Sequence, residues 1–137
     1  MRPNRSLDMP VTYSIDAKER VIRTQCIGNL TFEEVVNHFR ALQQDPDAPP
    51  RLDVLLDLSA TDSLPESRQL EAVGHEIAQL QGRIRFDLCA VIAPREALFG
   101  MMRMFEVMAQ PYFRATCVFR AAGEAEAWLL SQRLPAE

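Results

Sequence analysis

The sequence has no long hydrophobic run. Its longest uninterrupted apolar stretch, residues 88–93, falls far short of the roughly 20 residues a membrane-spanning helix needs. The polar opening MRPNRSLDMP carries no signal-peptide core, so the expected compartment is cytoplasmic. Basic charge is scarce too: a net charge of -4 and a pI of 5.2 leave no basic stripe to offset phosphate, which argues against a nucleic-acid partner. Cys26, Cys89 and Cys117 form no CxxC pair, and His38 and His75 stand alone, so neither a disulfide framework nor a metal site is expected. The cysteines read as reduced, buried fillers. Glycines 28, 74, 82, 100 and 123 are too dispersed to cradle a phosphate, and no P-loop, GxGxxG or GxSxG occurs, so no cofactor is implied.

What is present describes an ordinary globular chain. The 137 residues are 47% hydrophobic and 25% charged, which suits one domain over 1–137 with an ordered core of about residues 10–132. Val11, Tyr13 and Ile15 alternate with polar residues, DAKER supplies a turn, and residues 21–27 resume a strand, so the chain should open with an antiparallel hairpin. Thr31 with Glu34 three residues on forms a capping box, after which Phe32, Val35, Val36, Phe39 and Leu42 recur at helical spacing. Residues 54–58 read as a strand. Ser63 with Glu66, and Pro65 between them, signals a second helix with Leu70, Val73, Ile77 and Leu80 on its buried face. A strand over 86–92, a helix from Pro94, a strand over 115–119 and a helix over about 124–132 complete the order ββαβαβαβα. That order predicts an α/β fold: an open, mostly parallel five-stranded sheet with an N-terminal antiparallel hairpin and four helices on both faces.

One stretch departs from the average. EALFGMMRMFEVMAQPYFR, residues 96–114, holds four of the chain's six methionines. Around a helix, Arg95, Glu96, Arg103, Glu106 and Gln110 share one stripe, while Leu98, Met101, Met102, Met104, Phe105 and Met108 sweep the remainder. A sheet needs an apolar face only about 100° wide, so this helix has apolar surface to spare. Neighbouring helices, a second copy of the chain, another protein partner or a hydrophobic small molecule would cover it. Phe99, inside the polar stripe, with Met102, Arg103 and Met104, marks the expected face. Arg103 is expected to pair with Glu106 or Glu96.

The helix opening LTFEEVVNHFRAL, the segment VLLDLS, FGMMRMFE after a strand ending VIAP, and the ending EAEAWLL together resemble the SpoIIAA-like (STAS/SEC14) family over about residues 10–132. The resemblance implies the topology above and two activities: a non-enzymatic regulatory or protein-interaction module, as in anti-sigma-factor antagonists, or a carrier or sensor of a lipid-like ligand, as in CRAL-TRIO proteins. In antagonists of this kind, the helix after the DLS-type strand begins with a serine that a kinase phosphorylates. Here that region reads DLSATDSLPES, which makes Ser67 and Ser63 the switch candidates, although the expected aspartate–serine–serine–glycine pattern is absent. Phosphate at Ser67 would sit in a helix's first turn, where amides and dipole favour negative charge. A small enzyme is the third class. Its activity would lie at strand ends near Asp57, Ser59 and Asp62, where open α/β sheets bind ligands, with His38 the best general-base candidate.

Overall fold

The computed structural model describes residues 11–62, 64–80 and 84–133. Its elements are β1 (Val11–Asp16), β2 (Val21–Gly28), α1 (Phe32–Gln43), β3 (Arg51–Thr61), α2 (Ser67–Leu80), β4 (Arg85–Ile92), α3 (Glu96–Met108), β5 (Ala115–Phe119) and α4 (Ala122–Gln132). The strands form one five-stranded sheet in the order β1-β2-β3-β4-β5, with β1 antiparallel to β2 and the other neighbours parallel. The expected architecture is the one observed. Among the described residues no helix is long and apolar enough to cross a membrane.

Strand order fixes where the helices go. Parallel strands laid down side by side in chain order, joined by crossovers of one hand, place every crossover helix on the same face. Accordingly α1 packs on α2 and α2 on α3, while α4, which follows the last strand, lies on the other face against β3, β4 and β5. The sheet thus separates a large core under α1 to α3 from a smaller one of Val21, Leu55, Leu88, Ala90 and Ile92 under Ala125 and Leu129 of α4. Being short of apolar surface, α4 is also clipped by charge. Arg23 on β2 donates two hydrogen bonds to Glu126 at 3.0 and 2.9 Å, and Arg114 spans Asp87 and the carbonyl of Gln132.

Local chemistry closes the elements. Thr31 and Glu34 form the anticipated capping box of α1. The start of α2 differs from expectation. The helix begins at Ser67, and the Gln69 side chain accepts the amide of Glu66 at 2.9 Å, so the helix start lies three residues later than the Ser63–Glu66 pattern suggested. Ser63 itself lies outside the described residues. Strand β3 is longer than the predicted 54–58, because its ladder with β2 continues to Gly28↔Thr61, where the Thr61 hydroxyl donates to the Gly28 carbonyl at 2.7 Å.

Two ladder shifts are stapled by carboxylates. Leu52 pairs with Phe86 but Val54 with Cys89, so β4 carries an extra residue there. The Leu88 amide is taken up by the buried Asp53 carboxylate at 3.1 Å, which also faces Arg133 at 3.5 Å. Burial pushes the Asp53 carboxyl up, against the downward pull of the Leu88 amide. Between β2 and β3, Gln25 pairs with Asp57 but Ile27 with Ala60, and Asp57 accepts both the amide and the hydroxyl of Ser59 at 2.9 and 2.6 Å.

A tight approach ties α2 to the turn after α3. A Cβ on Gly74 would come within 2.8 Å of the Tyr112 ring, so this helical glycine makes room for an aromatic side chain. Two stability predictions follow from these contacts. Asp53→Ala should cost about 2 kcal/mol in urea melts, through the orphaned Leu88 amide and the loss of one of the carboxylates facing Arg133, and Asp53→Asn less, because its amide oxygen still accepts from Leu88. Gly74→Ala should fail to gain the roughly 1 kcal/mol that replacing a helical glycine brings, yet gain it in a Tyr112→Ala background. Additive effects in that double-mutant cycle would refute the packing account.

Candidate functional site

The layer between the sheet and α1 to α3 is solid at one end and hollow at the other. Towards the strands' amino ends, Phe39, Phe86 and Phe113 form a ladder with ring centroids 5.9 and 6.1 Å apart, closing the core. Towards the carboxyl ends the sheet contributes Thr24 and Cys26 on β2, Val54, Leu56 and Leu58 on β3 and Cys89 on β4, the short side chains of β2 and β4 flanking the leucines. Above them α2 is held by α1 and α3, and its backbone does not pack closely on any strand. The result is a cavity of about 400 Å³. Its roof is Val35 and His38 of α1, Leu70, Val73 and Ile77 of α2, and Leu98, Met102 and Phe105 of α3. The exposed lining residues Thr31, Leu64 and Gln69 all lie at one end, where α1 and α2 begin, and mark the mouth.

Polar groups inside are few. The His38 imidazole is buried between the rings of Tyr13 and Phe39, with centroids 5.3 and 5.2 Å away, and its Nε2 lies 3.2 Å from the Thr24 hydroxyl. Its Nδ1 is buried without a hydrogen-bond partner among the described residues. Burial lowers the imidazole from 6.5 to about 4, so it is neutral at physiological pH. Burial likewise pushes the Cys26 and Cys89 thiols up to about 12. Both therefore stay protonated and unreactive. Among the described residues no Asp, Glu, Lys or Arg lines the cavity.

The residues singled out in the sequence are scattered by the fold. On α3, Met102 is 4% exposed and roofs the cavity, which removes it from any outward face. Phe99 is half-buried against the core with the Arg120 guanidinium 4.0 Å above its ring, an arrangement the helical wheel did not reveal. Arg103 and Met104 do point outward, Met104 at 42% exposure beside Val107 at 65%. Arg103 pairs with Glu106 at 3.7 Å, while Glu96 pairs with Arg120 instead. Glu106 also accepts the Val118 amide at 2.7 Å, capping the free edge of β5.

Asp57, Ser59 and Asp62, the strand-end candidates, are not among the described residues that line the cavity. Because β3 runs on to Thr61, Asp57 and Ser59 sit within the strand and are spent on the ladder shift, and Asp57 lies between the inward residues Leu56 and Leu58. The Asp62 backbone amide is bonded to Gly28. Ser67 is exposed at the first position of α2, next to the mouth. His75 is exposed and bonded to Gln79. As a base His38 is poor, since its lowered pKa leaves little driving force to hold a proton and Thr24 is its one hydrogen-bond partner. No cluster of three His, Cys, Asp or Glu among the described residues could hold a metal ion. The cavity was not anticipated as a set of residues. Its signal was the run of short side chains at alternate positions of β2, read only as strand.

No protein-family model matches the chain, and no curated protein matches its sequence. Among solved structures it is similar to the crystal structure of an uncharacterised protein from the DUF3478 family with a SpoIIAA-like fold, from Shewanella loihica PV-4. The two share 20% identity with a TM-score of 0.53, over 93% of this chain and 90% of that one. The chain thus has a SpoIIAA-like α/β fold, as the sequence resemblance implied; at this identity the likeness speaks to fold alone.

The buried imidazole makes stability depend on pH with a definite sign. In the unfolded chain His38 titrates near 6.5 and in the fold near 4, so the unfolded state takes up the proton first. Stability is lost as pH falls through that window, by up to about 3 kcal/mol. Between pH 7 and pH 4.5, wild type should lose more urea resistance than His38→Phe. Equal losses would assign the acid sensitivity to other groups.

Proposed function

We propose that the protein is a non-enzymatic regulatory module that binds a small hydrophobic molecule in the cavity beneath α1 to α3. The cavity itself carries this reading. At about 24 cal/mol per Å³, a dry void of this size would cost about 10 kcal/mol. That is comparable with the entire stability of a typical domain. Wetting it instead would set water against an almost wholly apolar lining with few partners to offer it. An apolar occupant relieves both costs, and the volume falls within the range of small-ligand sites.

Binding without turnover is favoured by the lining's chemistry. Its thiols are protonated, its imidazole has no carboxylate to orient it, and no charged group is present to stabilise a developing charge. Two features suit an output to other molecules. The mouth is framed by the amino ends of α1 and α2, so occupancy bears on the segment around Ser67. The α3 wall that touches the ligand through Met102 presents Arg103, Met104 and Val107 on its outer side. Occupancy and the outer surface therefore share one helix.

The uncharged dye N-phenyl-1-naphthylamine should bind with one-to-one stoichiometry and a large fluorescence gain, and organic extraction of freshly purified protein should release an apolar molecule. Val73→Trp, which projects an indole from α2 into the space, should keep the fold by circular dichroism and lower dye affinity at least tenfold. Unchanged affinity in that variant would place the dye elsewhere and refute the assignment.

A further inference from the structure

The lining restricts what the occupant can be. Inside it two polar side chains face each other across the layer, His38 from α1 and Thr24 from β2, and both line the cavity. We propose that the occupant is an uncharged, mainly apolar molecule carrying one hydrogen-bonding group, a hydroxyl or a carbonyl, which the His38–Thr24 pair anchors. This rests on the reading above that the cavity binds a small molecule.

The pair has unused capacity. A neutral imidazole offers one donor and one acceptor, and a threonine hydroxyl one donor and two acceptors, yet among the described residues each side chain makes a single hydrogen bond, to the other. The Nδ1 atom is buried without a partner among the described residues, so the pair's hydrogen bonding rests on Nε2 and the Thr24 hydroxyl. The pair also adapts. If Nε2–H donates to the Thr24 hydroxyl, the hydroxyl proton is left to give to a ligand; if the hydroxyl donates to Nε2, its lone pairs are left to accept. Either polarity of a single ligand group is thereby met without a net charge.

Ionic ligands are excluded by the same inventory. A carboxylate or phosphate carried inside would be desolvated with no lysine or arginine to meet it, and burial keeps His38 neutral above about pH 4. Of the remaining polar lining residues, Thr31 and Gln69 are exposed at the mouth, and the buried Thr61 hydroxyl is taken up by the Gly28 carbonyl.

Three probes of one shape separate the possibilities: 1-naphthol, 1-methylnaphthalene and 1-naphthoate, each competing with N-phenyl-1-naphthylamine at pH 7. An apolar cavity without an anchor would favour the methyl compound. With the anchor, naphthol should bind about tenfold more tightly than methylnaphthalene, and naphthoate at least tenfold more weakly than naphthol. In Thr24→Val, which preserves shape, and in His38→Phe, the preference for naphthol should vanish while methylnaphthalene binds within about threefold of wild type. A wild-type preference for methylnaphthalene, naphthoate binding as tightly as naphthol, or a naphthol preference that survives both substitutions would overturn the anchor and leave the cavity's ligand-binding role standing. Failure of all three probes to bind would overturn that role as well.

Discussion

The sheet's one-directional winding is the constraint from which the other features descend. Because β2 to β5 are added side by side in chain order, α1, α2 and α3 must share a face, and three helices must be seated over a sheet in which β2 and β4 present the short side chains of Thr24, Cys26 and Cys89. The outer two reach the sheet. The central helix is suspended between its neighbours, and the space beneath it is the cavity. Had the winding reversed partway, the helices would be divided between faces and a switch-point crevice would be the expected ligand site. Here the ligand space is roofed by helices instead of opening between strand ends.

The two faces are consequently built by different means. Under α1 to α3, cohesion is apolar, and aromatic packing at the amino ends of the strands gives the layer a firm base. Under α4 the apolar cluster is small, and the bidentate Arg23–Glu126 pair, with Arg114 on the Gln132 carbonyl, completes the attachment. Partly exposed pairs of this kind contribute little individually, so their service is chiefly to fix orientation. Carboxylates elsewhere mend the ladder: Asp53, Asp57 and Glu106 each take up a backbone amide that the strands do not pair. Residues that look like catalytic candidates in the sequence thus serve as backbone acceptors in the fold.

The methionine-rich helix serves two sides. Leu98, Met102 and Phe105 form the cavity wall, and the surplus the helical wheel predicted is divided between packing on the core and a narrow outward strip. Flexible thioethers suit a wall that must fit an occupant of unspecified shape. Phe99, which seemed stranded among charges, is covered by Arg120, so the apolar strip that remains outside is Met104 and Val107.

Periodicity alone determined the order of elements, the hairpin, the capping box at Thr31 and hence the sheet's direction, because each of these is written in residues a few positions apart. It misjudged the start of α2 and the end of β3, where the outcome depended on Gln69 reaching back to Glu66 and on Thr61 reaching across to Gly28. The cavity was illegible for a stronger reason. Short side chains on β2, β3 and β4 mean nothing singly, and only when three strands bring Thr24, Cys26, Val54 and Cys89 beneath a helix that stands clear of the sheet do their missing volumes add. The His38–Thr24 pair spans 14 residues of sequence; its burial, its lowered pKa and its unused hydrogen-bonding capacity exist only because tertiary packing withdraws water from both partners at once.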